Sequence, residues 1–167
     1  MDVKLIWDEV NLEADVGFAN GDLIGDDTLE TAAIIGLFAD RRANADDKLP
    51  DPNDTDRRGW IGDFFTPDIV AKVQAGLPAP LAPTDPWGSR LWELGREGQT
   101  QAVLDDANAF AAEGLAFFLT NNIASKVHVA ARYPSRGVLY LPVKIDAPNP
   151  AFAGSYGYAW AAEAEAA

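Results

Sequence analysis

The chain has 167 residues, of which 26 are acidic and 13 basic for a formal charge of −13, with 48% hydrophobic residues and no cysteine. A chain of this length buries about 70% of its unfolded surface and needs neither disulfide nor metal; thiol nucleophiles and Cys-ligated zinc are excluded, and the acidity gives no electrostatic reason to approach nucleic acid or anionic lipid. No apolar run approaches the roughly 18 residues of a membrane span, and Met1-Asp2-Val3-Lys4 lacks the two halves of a signal peptide, so a soluble domain made in the cytoplasm is expected.

In chain order, residues 3–7 read as a short strand, followed by apolar-containing runs at 14–19 and 22–24 around Asn20-Gly21. Asn-Gly marks a two-residue hairpin, because both central residues must reach positive φ, and a β arm over 1–25 is expected. Asp27 and Glu30 have capping-box spacing. The run from Leu29 to Phe38 leaves almost no polar face, predicting a buried central helix over 28–39. Residues 40–66 are dense in Asp, Arg, Pro, Asn and Gly and predict a long loop, pinned at its end by Trp60 and Phe64-Phe65. A weak helix at 67–76 and a stiff proline-rich connector at 77–86 follow.

Apolar positions at 103/104, 107, 110/111, 115 and 117/118 predict a helix over 100–120, with Asp106, Glu113 and Thr120 on its polar face and a stop at Asn121-Asn122. The period then drops to two. Val127, Val129 and Ala131 alternate with Lys126, His128 and Arg132, and Leu139, Leu141, Val143 and Ile145 alternate with Tyr140, Pro142 and Lys144. These runs predict a hairpin of strands 126–132 and 137–146, in which Pro142, lacking an N–H, marks an edge or a bulge. Residues 155–160 supply a third strand and 161–167 a frayed tail. The fold class expected is α+β: two core helices packed on a C-terminal antiparallel hairpin or sheet, with a short N-terminal hairpin and a long Arg/Asp-rich loop. One domain is expected over 1–167, with its core at 26–146 and a C-terminal strand and tail at 147–167.

Catalytic signals are sparse. The single histidine, His128, lies mid-strand on the polar side of the alternation, which suits a solvated side chain better than a general base. No phosphate-binding glycine loop and no Gly-x-Ser-x-Gly turn occurs. Asp51-x-Asn53-x-x-Asp56 lacks the glycine and glutamate of a calcium loop, so no metal site is expected. Asp63 or Glu93 near Trp60 and Trp92 could mimic a glycosidase acid with a raised pKa, although 26 acids guarantee accidental candidates. The more pointed constellation is Asp56-Arg57-Arg58-Gly59-Trp60-Ile61-Gly62-Asp63 with Trp87-Gly88-Ser89-Arg90-Leu91-Trp92-Glu93-Leu94. Arginine's planar fork binds carboxylates bidentately and stacks on indole, and Arg and Trp are enriched at interface hot spots. An internal Arg–Asp lock and a surface for another chain are both open, and compatible.

Four stretches carry a resemblance: Asp26-Asp27-x-Leu29-Glu30-Thr31-Ala32, Leu37-Phe38-Ala39-Asp40-Arg41-Arg42-Ala43, the Asp56 to Asp63 run, and Gly88-Ser89-Arg90-Leu91-Trp92-Glu93-Leu94. With the long helix and hairpin, they resemble the small baseplate proteins of Mu-like contractile phages, relatives of the sheath-initiator wedge protein of T-even phages and of baseplate protein W. The sequence departs from that pattern in a longer insert at 64–86 and in Ile61, where a second Trp is usual.

The resemblance implies a structural protein of the virion tail baseplate, assembled in the host cytoplasm, with neither enzymatic activity nor cofactor. It also implies wedge proteins and tail sheath protein as partners, and tube or hub proteins as further contacts. A carbohydrate-cleaving, lysozyme-like domain and a generic acidic adaptor are the competing readings. Partner contacts are expected at Asp40, Arg41, Arg42, Arg57, Arg58, Trp60, Asp63, Arg90 and Trp92. Val127, His128, Val129, Ala130 and Ala131 are expected to form an edge where an arm of sheath or a neighbouring subunit adds a strand, unless residues 155–160 fold back to cap it.

Overall fold

A computed structural model describes residues 2–8, 10–26, 28–59, 87–150 and 153–161. Trp60, Asp63, Phe64-Phe65, the expected helix at 67–76, the connector at 77–86 and the tail beyond 161 lie outside the described residues.

The N-terminal arm contains six short strands: β1 (Asp2–Val3), β2 (Leu5–Asp8), β3 (Glu13–Val16), β4 (Phe18–Ala19), β5 (Asp22–Leu23) and β6 (Gly25–Asp26). It is more than the single hairpin expected. β1 pairs with β6, β2 with β3 and β4 with β5, each antiparallel. The three ladders meet where Lys4 N–H donates to the Ile24 carbonyl (2.8 Å), Ile24 N–H to that of Gly17 (2.9 Å) and Gly17 N–H to that of Lys4 (2.9 Å). This closed ring satisfies every backbone group at the point where the strands change partner. Asn20 and Gly21 turn at φ 53° and 82°, as a two-residue hairpin requires.

Helix α1 (Glu30–Phe38) starts later than expected and is capped differently. The Asp26 carboxylate accepts from Thr28 N–H (2.8 Å), Thr28 Oγ1 (2.7 Å) and Thr31 N–H (3.0 Å), while Thr28 Oγ1 accepts from Glu30 N–H (3.1 Å). Partial burial would raise the Asp26 pKa, but the hydrogen bonds from Thr31 and Thr28 hold it below the ordinary carboxylate value. Of the helix's apolar run, Ala33, Ile34 and Leu37 are buried with Gly36, whereas Ile35 is exposed. The arm is fastened to α1 by Leu5 N–H donating to Thr31 Oγ1 (3.0 Å) and by Lys4 against Glu30 (3.2 Å). Trp7 stacks on Phe38 at 4.3 Å, and both rings meet Tyr158 edge-on at 5.7 Å.

The long helix expected over 100–120 is two: α2 (Gln101–Gly114), capped by the Thr100 hydroxyl, and α3 (Ala116–Thr120), with a break at Leu115. The break sits where α1 crosses at backbone contact. A Cβ on Gly114 would lie 2.3 Å from Gly36 O, and one on Gly36 2.7 Å from Gly114 O. Asn122, at φ 56°, ends the helical segment in the left-handed turn expected of it.

Four strands form the C-terminal sheet: β7 (Lys126–Val129), β8 (Arg132–Ser135), β9 (Val138–Asp146) and β10 (Gly154–Ala161). The expected strand 126–132 is interrupted, so that β7 pairs with the last residues of β9 and β8 with the first. Two groups explain the gap. Pro142 lies in the middle of β9 rather than at an edge, offers a carbonyl to Ala130 N–H (3.3 Å) and has no N–H to return. Ala131 N–H turns away and donates to Asn108 Oδ1 on α2 (2.8 Å). Residues 155–160 do fold back, but onto the other side of β9, with Gly154 opposite Ile145 and Ala161 opposite Val138. β7 therefore lies at one rim of the sheet. Leu139, Leu141, Val143 and Ile145 of β9 point inwards against Leu37, Leu115 and Phe118. Full burial of a Phe such as Phe118 contributes roughly 2–3 kcal/mol.

Candidate functional site

Helix α1 runs out at Ala39, and the chain that follows is zipped to the segment at 88–90. Ser89 N–H donates to Ala39 O (2.9 Å), Arg41 N–H donates to Ser89 O (3.1 Å), and Asp40 and Ser89 form a parallel bridge. Gly88 makes this approach possible. Its φ is +91°, and a Cβ there would stand 2.2 Å from Ala39 O. Ser89 is buried, donates its hydroxyl to Phe110 O on α2 (2.9 Å) and accepts from Leu91 N–H (3.1 Å), which starts the 3₁₀ turn Leu91–Leu94.

On this frame the arginines interlock. Arg90 bridges Glu113 (3.0 Å) and Asp47 (2.8 Å) while lying 4.5 Å over the Phe110 ring. Arg41 takes the other oxygen of Glu113 at 3.2 Å. Arg57 donates to the carbonyls of Asn44, Ala45 and Asp47, fixing the turn that presents Asp47. Arg58, at φ 51°, stacks 4.4 Å over the Trp92 indole and pairs with Asp40 at 2.9 Å. Trp92 Nε1 donates to Arg41 O (2.8 Å). The result is one knot joining the loop at 40–59, the 3₁₀ turn and α2.

Burial tends to raise the Asp47 pKa, but hydrogen bonds from Asn44 and Arg90 with the Arg90 charge hold it below the ordinary value. Glu93 goes the other way. The residue is 7% exposed, and its Oε1 has no hydrogen-bond partner among the described residues. Burial first, then the neighbouring Asp47 charge, push its pKa up to about 7 against the partial offset of Arg90. An open cleft beside the knot is lined by Phe38, Asp40, Asp51, Asp54, Arg58, Trp92 and Arg96, and Glu93 does not line it.

Of the expected partner-binding residues, Asp40, Arg41, Arg57, Arg58, Arg90 and Trp92 meet in this knot, which realises the internal lock. Arg42 is exposed beside it, and Trp60 and Asp63 lie outside the described residues. The carboxylates completing the lock, Asp47 and Glu113, were visible only as a loop acid and a polar-face acid. At the expected strand edge, Val127 and Val129 turn half-buried towards the core, His128 and Ala130 face outwards, and Ala131 is tied to Asn108. No group of three or more His, Cys, Asp or Glu side chains among the described residues could hold a metal ion.

Residues 29–151 match the model of a protein family described as phage protein GP46. The chain is 36% identical over 148 residues to baseplate protein gp46 of Escherichia phage Mu, covering 89% of this chain and 88% of that protein. It is 30% identical over 148 residues, with the same coverage, to the Mu-like prophage FluMu protein gp46 of Haemophilus influenzae. No solved structure matches it significantly.

Proposed function

The chain belongs to the phage protein GP46 family, and from that premise we propose that it is a structural component of a phage tail baseplate, placed in the inner wedge of a contractile tail where the sheath begins. The observation that carries the reading is the likeness, over most of both chains, to a protein named as the baseplate protein of phage Mu. The geometry supports a scaffold rather than a catalyst. The arginine knot holds a long loop in one shape, and Glu93, the one carboxyl among the described residues whose pKa is pushed up, is buried near Asp47 and does not line the cleft.

In this reading the partners are other baseplate proteins. Wedge proteins meet the ordered loop around Arg42, Arg57 and Arg58; sheath protein adds a strand at the outer backbone edge of β7; tube or hub proteins lie further in. Among the described residues no strand pairs with that edge of β7, and an extended arm would gain main-chain hydrogen bonds there. The protein assembles in the host cytoplasm and resides in the virion tail.

Electron microscopy of the purified particle tests the reading directly: density for this chain beside the first sheath ring is expected, and its absence from the tail overturns it. Purified protein should not cleave cell-wall glycan; activity there would favour the carbohydrate-cleaving alternative. An Arg58→Ala chain should keep its circular dichroism and assemble more weakly, whereas undiminished assembly would make Arg58 part of the internal lock alone.

A further inference from the structure

We propose that the solvent face of the C-terminal sheet is a docking groove for an acidic, extended segment of a partner protein, separate from strand addition at the β7 edge. The face is built from the outward positions of the ladders. His128 lies opposite Lys144, Arg132 opposite Tyr140, and Pro142 opposite Gly157. Gly157 leaves room for its neighbour: a Cβ there would meet Tyr140 Oη at 2.0 Å, so the Tyr140 ring lies across the glycine. What remains is a groove lined by His128, Ala130, Tyr140, Pro142, Lys144 and Gly157.

Its charge is the reverse of the rest of the molecule. Between Glu113 and Asp146 there is no acidic residue, while Lys126, Arg132, Arg136 and Lys144 all fall there, in a chain whose net charge is −13. Asp146 at one corner engages Lys144 (3.0 Å) and His128 (3.4 Å). Arg132 rests 4.9 Å over the Tyr140 ring, exposed. Tyr140 and Pro142 give the groove an apolar floor between these cations.

On this face Lys126, Lys144 (opposite His128) and Arg132 stand at successive ladder levels two and four residues apart, multiples of the two-residue strand repeat of about 6.6 Å. An extended peptide with acids at alternate positions repeats at the same interval and sets its other side chains on the Tyr140–Pro142 floor. A nucleic acid would match the cations but carry its remaining phosphates over a strongly acidic molecule.

The test is fluorescence anisotropy of the full chain with a labelled peptide alternating Glu and Val. Its counterpart N-methylated on alternate amides, which cannot add a strand, a Lys-Val peptide and a thymidine oligonucleotide serve as comparisons. Both acidic peptides should bind, more weakly at high salt, and a K126E/R132E chain with unchanged circular dichroism should lose about tenfold or more in affinity. If that reversal variant misfolds, K126Q/R132Q should show a smaller loss in the same direction. Equal affinity of the variants, failure of the N-methylated peptide, or tighter binding of the oligonucleotide each overturns the proposal. So does sedimentation showing that the groove is taken by a second copy of the chain.

Discussion

Gly88 is the residue that lets the two halves of the arginine knot touch. Its positive φ and the 2.2 Å a Cβ would leave to Ala39 O mean that Gly88→Ala must break the zipper between 39–41 and 88–90. A loss of roughly 2–4 kcal/mol is expected, read from urea unfolding. Glu93 makes a second residue-scale prediction. Its folded pKa is raised from 4.5 to about 7. In that interval the unfolded chain gives up the proton while the folded chain keeps it, so stability falls as pH rises and levels off above about 7. The cost at the top of the interval is on the order of 2–3 kcal/mol. Asp26 and Asp47, with lowered pKa values, act in the opposite sense and only below the ordinary carboxylate value of 3.8. E93Q keeps the shape, cannot ionise and faces Asp47, Arg90 and Glu113 without repulsion. Its unfolding midpoint should stay flat from pH 4.5 to about 7, where that of the parent chain falls; a parallel decline in both would assign the slope to other groups.

The elements hold together through unusually close backbones. Alanine is favoured over glycine inside a helix by about 0.5–1 kcal/mol, yet Gly36→Ala and Gly114→Ala should each destabilise by about 1–3 kcal/mol, because each Cβ lands on the other helix's carbonyl. Thermal melting checks this, and a raised midpoint for either variant would mean that the crossing relaxes freely. The same contact explains what the sequence could and could not reveal. The period of 3.6 correctly put the apolar positions Ala107, Ala111 and Leu115 in the core, but the break at Leu115 sits beside a crossing with Gly36, far away along the chain, that no local pattern reveals. The two-residue period found the hairpin, whereas the gap at Ala130 and Ala131 needed Asn108 from another element. The residue types of the site were legible as an Arg/Trp constellation. Their partners were not, since Arg90 reaches Glu113 and Asp47 across 23 and 43 residues and only the fold sets those pairings.

Across the whole molecule charge and fastening are both uneven. Sixteen acids and six basic side chains lie in residues 1–63, opposite in sign to the C-terminal sheet face. The arm that carries part of this charge is joined to the core through Trp7, stacked on Phe38 and edge-on to Tyr158. Trp7→Ala should therefore cost roughly 3 kcal/mol and release the arm first; hydrogen exchange should speed at Lys4, Gly17 and Ile24 before it does in β9. Uniform exchange in all strands would instead mean that arm and core open as one unit. The sheet also has a consequence for load. β10 lies along β9 in eight consecutive antiparallel pairs. Tension applied along these strands shears all eight at once, so the ladder yields only when they fail together. A pull across them opens the pairs in succession, each at a fraction of that force. The C-terminal strand is thus a clamp with a grain: stiff to a tug along its own axis, and yielding like a zip to one from the side.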